Sequence, residues 1–229
     1  MMISAPPRIL LLNPNSSRAS TAMMVTIAQR AARCGDGRMA ACVRGHTARH
    51  APAMIVDGPA LNAAGREIAA TARLLPPGIA GIVVAAFGDP GLGDLRARLR
   101  IPATGLAEAS MREAALGGRR FGVATVTPGL VDAIAARAAA LGLGGQFTGT
   151  RLTAQPAAAL MGRPEALRTA LAEAIEACRR DGAEVAIIGG GPLAAAARQL
   201  ARHSTLPLIA PVPASVRAIL TALGHRESA

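Results

Sequence analysis

Lysine is absent from this 229-residue chain, as are tyrosine and tryptophan, and only three phenylalanines are present. Schiff-base and pyridoxal phosphate chemistry both need a lysine amine, so those mechanisms are excluded. The near absence of aromatic side chains removes the surfaces on which nucleic-acid-binding proteins stack bases. The formal net charge is nevertheless +11. Because the arginines that produce it are scattered along predicted helices, we interpret them as solvated faces and predict no nucleic-acid partner.

Cysteine is scarce, and long apolar runs are missing. Cys34, Cys42 and Cys178 are an odd number of thiols without ligand-like spacing, so we expect neither a disulfide framework nor a metal site. No apolar run reaches the roughly 18 residues that suggest a membrane helix. The first residues do not follow the pattern of an export signal. We therefore expect a cytoplasmic protein that does not associate with membranes.

Short β-rich segments alternate with longer helical segments along the chain. The predicted strands are continuously apolar, which is typical of a parallel sheet covered by helices on both faces. These strands are residues 8–12, 39–43, 79–86, 121–125, 147–152, 185–188 and 206–209. The predicted helices are residues 17–33, 61–75, 107–116, 128–141, 164–180, 193–202 and 214–223. The sequence therefore predicts an α/β protein.

The alternation divides into two similar series near residues 100–104. Each series has about three strand–helix units, which is too few for a barrel and suits a small doubly wound lobe. We predict a first lobe over residues 1–101, a second over 102–205, and a returning strand and helix over 206–229 that pack on the first lobe. An inter-lobe cleft would then form where the two lobes face each other.

Small and polar residues follow several predicted strands, at residues 13–17, 86–90, 125–128 and 189–192. In open parallel sheets, ligands bind beyond the carboxyl ends of the strands, where helix N-termini present free backbone N–H groups. We predict that these loops line one cleft suited to a small anionic or carbonyl-bearing ligand. The candidate binding residues are Asn13, Ser16, Phe87, Gly88, Thr125, Thr127, Gly190 and Gly191.

These features also have structural interpretations. Ser16 or Ser17 can cap the first helix, and Asp89 and Thr127 each precede a proline in the pattern of an N-cap followed by the first helical residue. The glycine run at 189–191 can permit tight strand–helix packing. Together with Ala194 it also fits a dinucleotide-binding loop. We regard that interpretation as the weaker one, because the next strand is not followed by the acidic residue that a ribose requires.

Several strings resemble the hydantoin racemase branch of the aspartate/glutamate racemase superfamily, and they occur in the order seen in that family. The strings are ILLLNPNSS at 9–17, FGDPGL at 87–92, AEA at 107–109, RFGVAT at 120–125 and GAEV at 182–185. The resemblance covers nearly the whole chain. It implies two similar α/β lobes, a cleft that works without a cofactor, and substrates such as amino acids, hydantoins and allantoin. Related decarboxylases and maleate isomerases share the scaffold.

The resemblance also shows what is missing. The two positions at which the family carries cysteine hold Ala86 and Gly190. Cofactor-free racemisation removes a proton next to a carbonyl and returns one on the opposite face, so it needs an acid and a base on opposite sides. Methyl and hydrogen side chains transfer no protons. Because a positioned acid or base contributes about 10²–10⁴-fold, we expect the two-thiol activity to be largely lost.

No other residue is a clear replacement for the two thiols, and Asp89 fits a cap better than a base. We predict a racemase-family isomerase that acts on a small carboxylate, amino-acid derivative or cyclic ureide, through an enolate-type intermediate with non-standard acid and base groups. The alternatives are a decarboxylase or lyase on the same scaffold, a non-catalytic binding module, and an engineered replacement at Ala86, which would leave Gly190 unexplained. The alanine-rich helices lead us to expect a homo-oligomer.

Overall fold

The computed structural model describes residues 5–34, 37–160 and 162–224, with the side chain of Pro192 excepted. One sheet contains β1 (Arg8–Asn13), β2 (Cys42–Thr47), β3 (Ile79–Val84) and β4 (Ala103–Gly105), in the order β2-β1-β3-β4. A second sheet contains β5 (Phe121–Thr125), β6 (Phe147–Leu152), β7 (Val185–Ile188) and β8 (Leu208–Ile209), in the order β6-β5-β7-β8. All of these strands pair in parallel.

Helices follow the strands. They are α1 (Arg18–Ala31), α2 (Gly58–Thr71), α3 (Leu92–Arg98), α4 (Leu106–Ala114), α5 (Val131–Ala140), α6 (Ala157–Leu160), α7 (Pro164–Arg180), α8 (Ala194–Leu200) and α9 (Pro211–Ala222). Since the two sheets repeat one strand order, the prediction of two similar parallel-sheet lobes is confirmed. We call the units built on the two sheets the first lobe and the second lobe. Within the described residues, every helix is too short or too polar to cross a membrane.

Burial on both sheet faces explains why the central strands are continuously apolar. In β1, Ile9 and Leu11 belong to the largest cluster of buried side chains, whereas Leu10 and Leu12 belong to a separate cluster. Successive side chains of a strand point to opposite faces, so both faces of β1 need apolar residues. The largest cluster also includes Val123 of β5. The two lobes therefore share part of their core.

The region between the two lobes differs from our expectation. Residues 103–105 form β4, which pairs with β3 from Ile82 to Val84 and completes the first sheet. The first sheet therefore continues past residue 101, where we expected the first lobe to end. A boundary placed on the sheets falls between residues 105 and 121. A strand of three residues directly after Pro102 gives too short an apolar run to be recognised.

The C-terminal segment is divided between the lobes. We expected the strand and helix over 206–229 both to pack on the first lobe. Instead β8 extends the second sheet, with Leu208 beside Ala186 of β7, and only α9 packs against α1, α4 and the strands β3 and β4. Strand β8 belongs to the second lobe because its backbone groups pair with those of β7. Residues 1–4 and 225–229 of the expected ranges lie outside the described part of the chain.

Candidate functional site

A small cavity of about 60 Å³ lies between the lobes, beside the carboxyl ends of β3, β5 and β7. The first lobe lines it with Asn15 and with residues 54–55 and 85–87. The second lobe lines it with residues 125–127 and 189–191 and with apolar side chains of the following helical turns. Wider surface grooves of about 620–760 Å³ do not include the loops directly after β3 and β7. The inter-lobe cavity is therefore where a doubly wound fold is expected to bind a ligand.

The cavity brings together candidate residues from both lobes, namely Phe87, Thr125, Thr127, Gly190 and Gly191. The buried Thr125 hydroxyl donates to the carbonyl oxygen of Gly189 at 2.7 Å, so it ties β5 to the loop after β7. Its oxygen still has lone pairs that can accept. Thr127 begins a 3₁₀ turn without forming the capping bond we considered. Within the described residues, its hydroxyl has no hydrogen-bond partner.

Asn13 is buried behind the cavity wall and organises the loop after β1. Its side-chain nitrogen donates to Asn15 Oδ1 at 2.8 Å, Thr21 Oγ1 at 2.9 Å and the Ser17 carbonyl at 3.2 Å. These acceptors use both of its amide hydrogens. Asn15, two positions further along, reaches the cavity. Sequence reasoning missed Asn15, although the Asn-Pro-Asn string after a buried strand could have indicated that its second asparagine points outward.

Ser16 and Gly88 do not line the cavity but shape the loops around it. Ser16 donates its backbone N–H to the carbonyl of Pro52 at 3.2 Å, and Ser17 provides the side-chain cap of α1. Gly88 has a φ of +109°, and a Cβ there would lie 3.1 Å from Leu61 Cδ1. Both positions therefore depend on backbone geometry rather than on a side chain that contacts a ligand.

Phe87 was a candidate from the sequence, but most of the apolar wall of the cavity was not predicted. Leu130, Ile134 and Leu193 line it from the second lobe, and Met54 and Ile55 from the first. These residue types are typical of any core, so no sequence signal separates them from other buried positions. The five side chains limit the cavity to a compact ligand with an apolar surface.

Segment 48–57, which carries Met54 and Ile55, crosses to the second lobe. A Cβ on Gly129 would lie only 2.5 Å from the carbonyl oxygen of Val56. Glycine therefore allows the two lobes to approach closely beside the cavity.

Within the described residues, the cavity has no ionisable side chain in its lining. Cys34 is exposed, and Cys42 lies on β2, away from the lining. Burial raises the pKa of the Cys178 thiol to about 11, and this residue packs from α7 against Gly122. The three thiols are thus unable to serve the cavity as acid or base. The described residues also contain no group of three or more His, Cys, Asp or Glu that could hold a metal ion.

Ala86 and Gly190 line the cavity from opposite lobes, after the corresponding strands β3 and β7. Gly190 has a φ of +153°, which residues with a side chain rarely adopt. A Cβ there would lie 3.2 Å from Cγ and Cδ1 of Leu193. The Leu193 side chain therefore fills the space that a side chain at residue 190 would need.

A buried ionic cluster lies next to the loop that begins at Ala86. Asp89 accepts hydrogen bonds from the backbone N–H groups of Ala107 at 2.8 Å and Glu108 at 2.7 Å. Arg137 of α5 donates to it from Nε at 2.9 Å. Asp89 thus caps α4 rather than the helix that follows it, because α3 begins after Gly91. Burial raises the pKa of Asp89 to about 6, although Arg137 and the two backbone donors act in the opposite direction.

Glu108 forms the other half of this cluster. Arg137 Nη2 donates to it at 2.7 Å, and Arg96 Nη1 donates at 2.9 Å. Arg112, one turn further along α4, donates from Nε at 3.1 Å. Burial opposes the charge on Glu108, but the hydrogen bonds and charges of these arginines outweigh it and keep the pKa of Glu108 below its usual range.

A family model of the Asp/Glu/Hydantoin racemases matches residues 9–219, which include both sheets and the cavity. The chain belongs to this family. A hydantoin racemase of Paenarthrobacter aurescens is 29% identical to the chain over 232 residues, which cover 96% of this chain and 94% of the relative. A second hydantoin racemase, of Rhizobium meliloti, is 29% identical over 148 residues, 64% of this chain and 61% of the relative. Both named relatives are isomerases.

Two solved structures share the fold of this chain. An allantoin racemase from Klebsiella pneumoniae is 28% identical, with a TM-score of 0.82 over 97% of this chain and 90% of its own. An arylmalonate decarboxylase is 18% identical, with a TM-score of 0.60 over 95% of this chain and 93% of its own. The scaffold of this racemase family is thus also found in a decarboxylase.

Proposed function

We propose that the inter-lobe cavity binds a compact carbonyl compound, a cyclic ureide or a small carboxylate, without a cofactor and without a side-chain acid–base pair. The observation that carries this proposal is a cleft of the racemase fold whose described lining is apolar except for amide, hydroxyl and backbone groups. Two-sided proton transfer needs ionisable groups on both faces of the substrate. The protein keeps the binding site of its family and lacks that pair.

Asn15 gives the cavity its preference for oxygen-bearing ligands. Its Oδ1 accepts from Asn13 Nδ2 at 2.8 Å and from the backbone N–H of Ser17 at 3.0 Å. A backbone N–H can only donate, so the amide orientation is fixed with its NH₂ group turned away from these partners. Within the described residues, that NH₂ group has no acceptor. Asn15 is buried and lines the cavity, so a carbonyl or carboxylate oxygen would satisfy its donors.

The backbone at Gly190 and Gly191 can supply further donors. Their N–H groups lie at the start of a 3₁₀ turn, and neither has a carbonyl partner among the backbone hydrogen bonds of the described residues. Free N–H groups that converge on one oxygen stabilise the negative charge of an enolate or carboxylate. A free amino acid, in contrast, would place its ammonium group in a cavity with no carboxylate. This favours a cyclic ureide or a carboxylate without an amino group.

The role of Asn15 can be tested by titration with 5-methylhydantoin and with lactate. Asn15→Ala should weaken the binding of at least one probe about tenfold, because one or two hydrogen bonds in an apolar cavity are lost. Asn62→Ala is the matched control, since Asn62 is exposed on α2, and it should bind like the original protein. If neither probe bound the unmodified protein, the proposed function would be wrong.

A one-sided proton transfer, as a lyase would use it, is a second candidate, and the Thr127 hydroxyl favours it. This group lines the cavity and, within the described residues, has no partner, so it can relay a proton between water and an enolate. Such a reaction would exchange the C5 proton of enantiopure 5-methylhydantoin in heavy water without loss of optical purity. Exchange that stops in Thr127→Val would establish this candidate. Exchange at the rate of buffer alone would exclude it.

A further inference from the structure

The two walls of the cavity are joined by the ionic cluster next to it. Ala86 and Phe87 line the cavity, and Asp89 follows them in the same loop. On the other side, Ile134 of α5 lines the cavity, and Arg137 lies one helical turn further along. The ion pair of Arg137 with Asp89, with 2.9 Å between Nε and Oδ2, therefore links one cavity wall to the other.

The loop after β3 is built around the Asp89 carboxylate. The Asp89 side chain is 0% exposed, and Asp89 is the non-glycine residue with positive φ, +54°, among the described residues. A Cβ on Gly105 would lie 2.1 Å from its Oδ1, so only glycine leaves room for the carboxylate. The two α4 backbone donors then hold it in place. This backbone conformation costs free energy that the contacts of the carboxylate must offset.

Arg137 is the cluster member that crosses from the second lobe. Its side chain is 22% exposed, and its guanidinium contacts Asp89 through Nε and Glu108 through Nη2. A planar guanidinium can hold two carboxylates in fixed directions, which a lysine ammonium cannot do as well. Within the described residues, Arg112 forms an ion pair with Glu108 alone; it is on the same helix as Glu108, and its side chain is 59% exposed. Glu108 thus contacts one arginine from the second lobe, Arg137, and one from its own helix, Arg112, and the two can be compared by mutation.

We infer that Arg137 is a positioning residue of the cleft, which sets ligand affinity by holding the Asp89 loop and α4 against α5 without touching the ligand. This inference rests on the proposed function of the cavity. When the crossing contact is lost, the loop after β3 samples other positions, and only the fraction of molecules with the closed wall binds well. The apparent affinity is then the affinity of the closed form multiplied by that fraction.

Two measurements on Arg137→Gln test this inference. Its affinity for whichever probe the unmodified protein binds should fall about tenfold, and amide hydrogen exchange should become faster in residues 86–92 and at Ala107 and Glu108. Arg137→Lys, which keeps the charge, should fall between Arg137→Gln and the unmodified protein in both measurements, and it serves in place of Arg137→Gln if that variant does not fold. Arg112→Gln is the matched control and should change neither quantity.

The outcomes separate the inference from the proposed function. A folded Arg137→Gln variant with unchanged affinity, or one whose faster exchange is spread evenly over the chain, would show that Arg137 contributes only general stability. If no probe binds even the unmodified protein, the proposed function is wrong. The inference that Arg137 sets ligand affinity is then wrong as well. If amide hydrogen exchange in Arg137→Gln then increased only in residues 86–92 and 107–108, Arg137 would have a purely local structural role.

Discussion

At the scale of single residues, most of the site at the strand ends was predictable, and the apolar residues of the following helical turns were not. Thr125, Thr127 and Gly190 stand at strand ends, a position that indicates a site in any doubly wound fold, and all three line the cavity. Leu130 and Leu193 line it as well, but a leucine in a cavity wall has the same sequence signature as a leucine in the core. Their role depends on which gap the packing leaves open.

The geometry at Gly190 leads to a prediction about restored thiols. Gly190→Cys should lower the free energy of unfolding by about 2 kcal/mol, because it places a side chain at an unfavourable φ and against Leu193. Ala86→Cys should change it by less than about 1 kcal/mol, since its side chain extends into the cavity. Urea unfolding measures both, and Leu193→Ala combined with Gly190→Cys should recover part of the loss. Equal effects of the two cysteines would show that the loop after β7 is not restricted to glycine.

At the scale of elements, the sequence predicted most of the longer strands and helices and missed the shortest ones. The predicted bounds of β5, β6, β7 and α7 agree with the structure. Because of the apolar run at 39–43, we predicted β2 too early in the chain. Its exposed residues Arg44 and His46 are typical of an edge strand. Strand β4 and helices α3 and α6 are too short to show a period.

The cap of α4 could not be predicted either. Asp89 reaches that helix from 18 residues earlier in the chain. Such a contact is set by the packing of the loop after β3, and local sequence patterns do not report it. From the neighbouring sequence alone, Asp89 is expected to cap a helix that begins directly after it.

The pKa of Asp89 predicts how stability depends on pH. An aspartate whose pKa is raised from 3.8 to about 6 in the folded protein contributes stability that is complete below pH 3.8 and is lost as pH rises through 6. The free energy of unfolding should therefore increase by about 1 kcal/mol from pH 7 to pH 5. Glu108 stays charged throughout this range, because its pKa is lowered.

Denaturant titrations of the unmodified protein and of Asp89→Asn at the two pH values measure this contribution. The variant carries no titrating group at residue 89, so its unfolding free energy should lack the increase. Subtracting the two curves removes the pH dependence that both proteins share. A variant with the same pH dependence as the unmodified protein would contradict the assignment of this pKa to Asp89.

At the scale of the whole molecule, two repeated sheets share a core and enclose one cavity at their strand ends. The family relationship accounts for the two lobes, and the strand ends of the doubly wound sheets account for the position of the cavity. We propose that its apolar lining, with amide and hydroxyl donors, binds a neutral or anionic carbonyl compound. Within the described residues, that lining provides no pair of side chains that exchange protons. Self-association and a place in the cytoplasm stay predictions from composition.

Proton exchange in heavy water, measured by NMR together with optical rotation, tests this account most directly. Enantiopure 5-methylhydantoin is held with excess protein, so that most of the compound is bound throughout. The account predicts that the bound compound keeps its optical rotation, with racemisation no faster than in buffer. Protein-dependent racemisation with deuterium entering at C5 would contradict it, because a working acid and base would then flank the cavity.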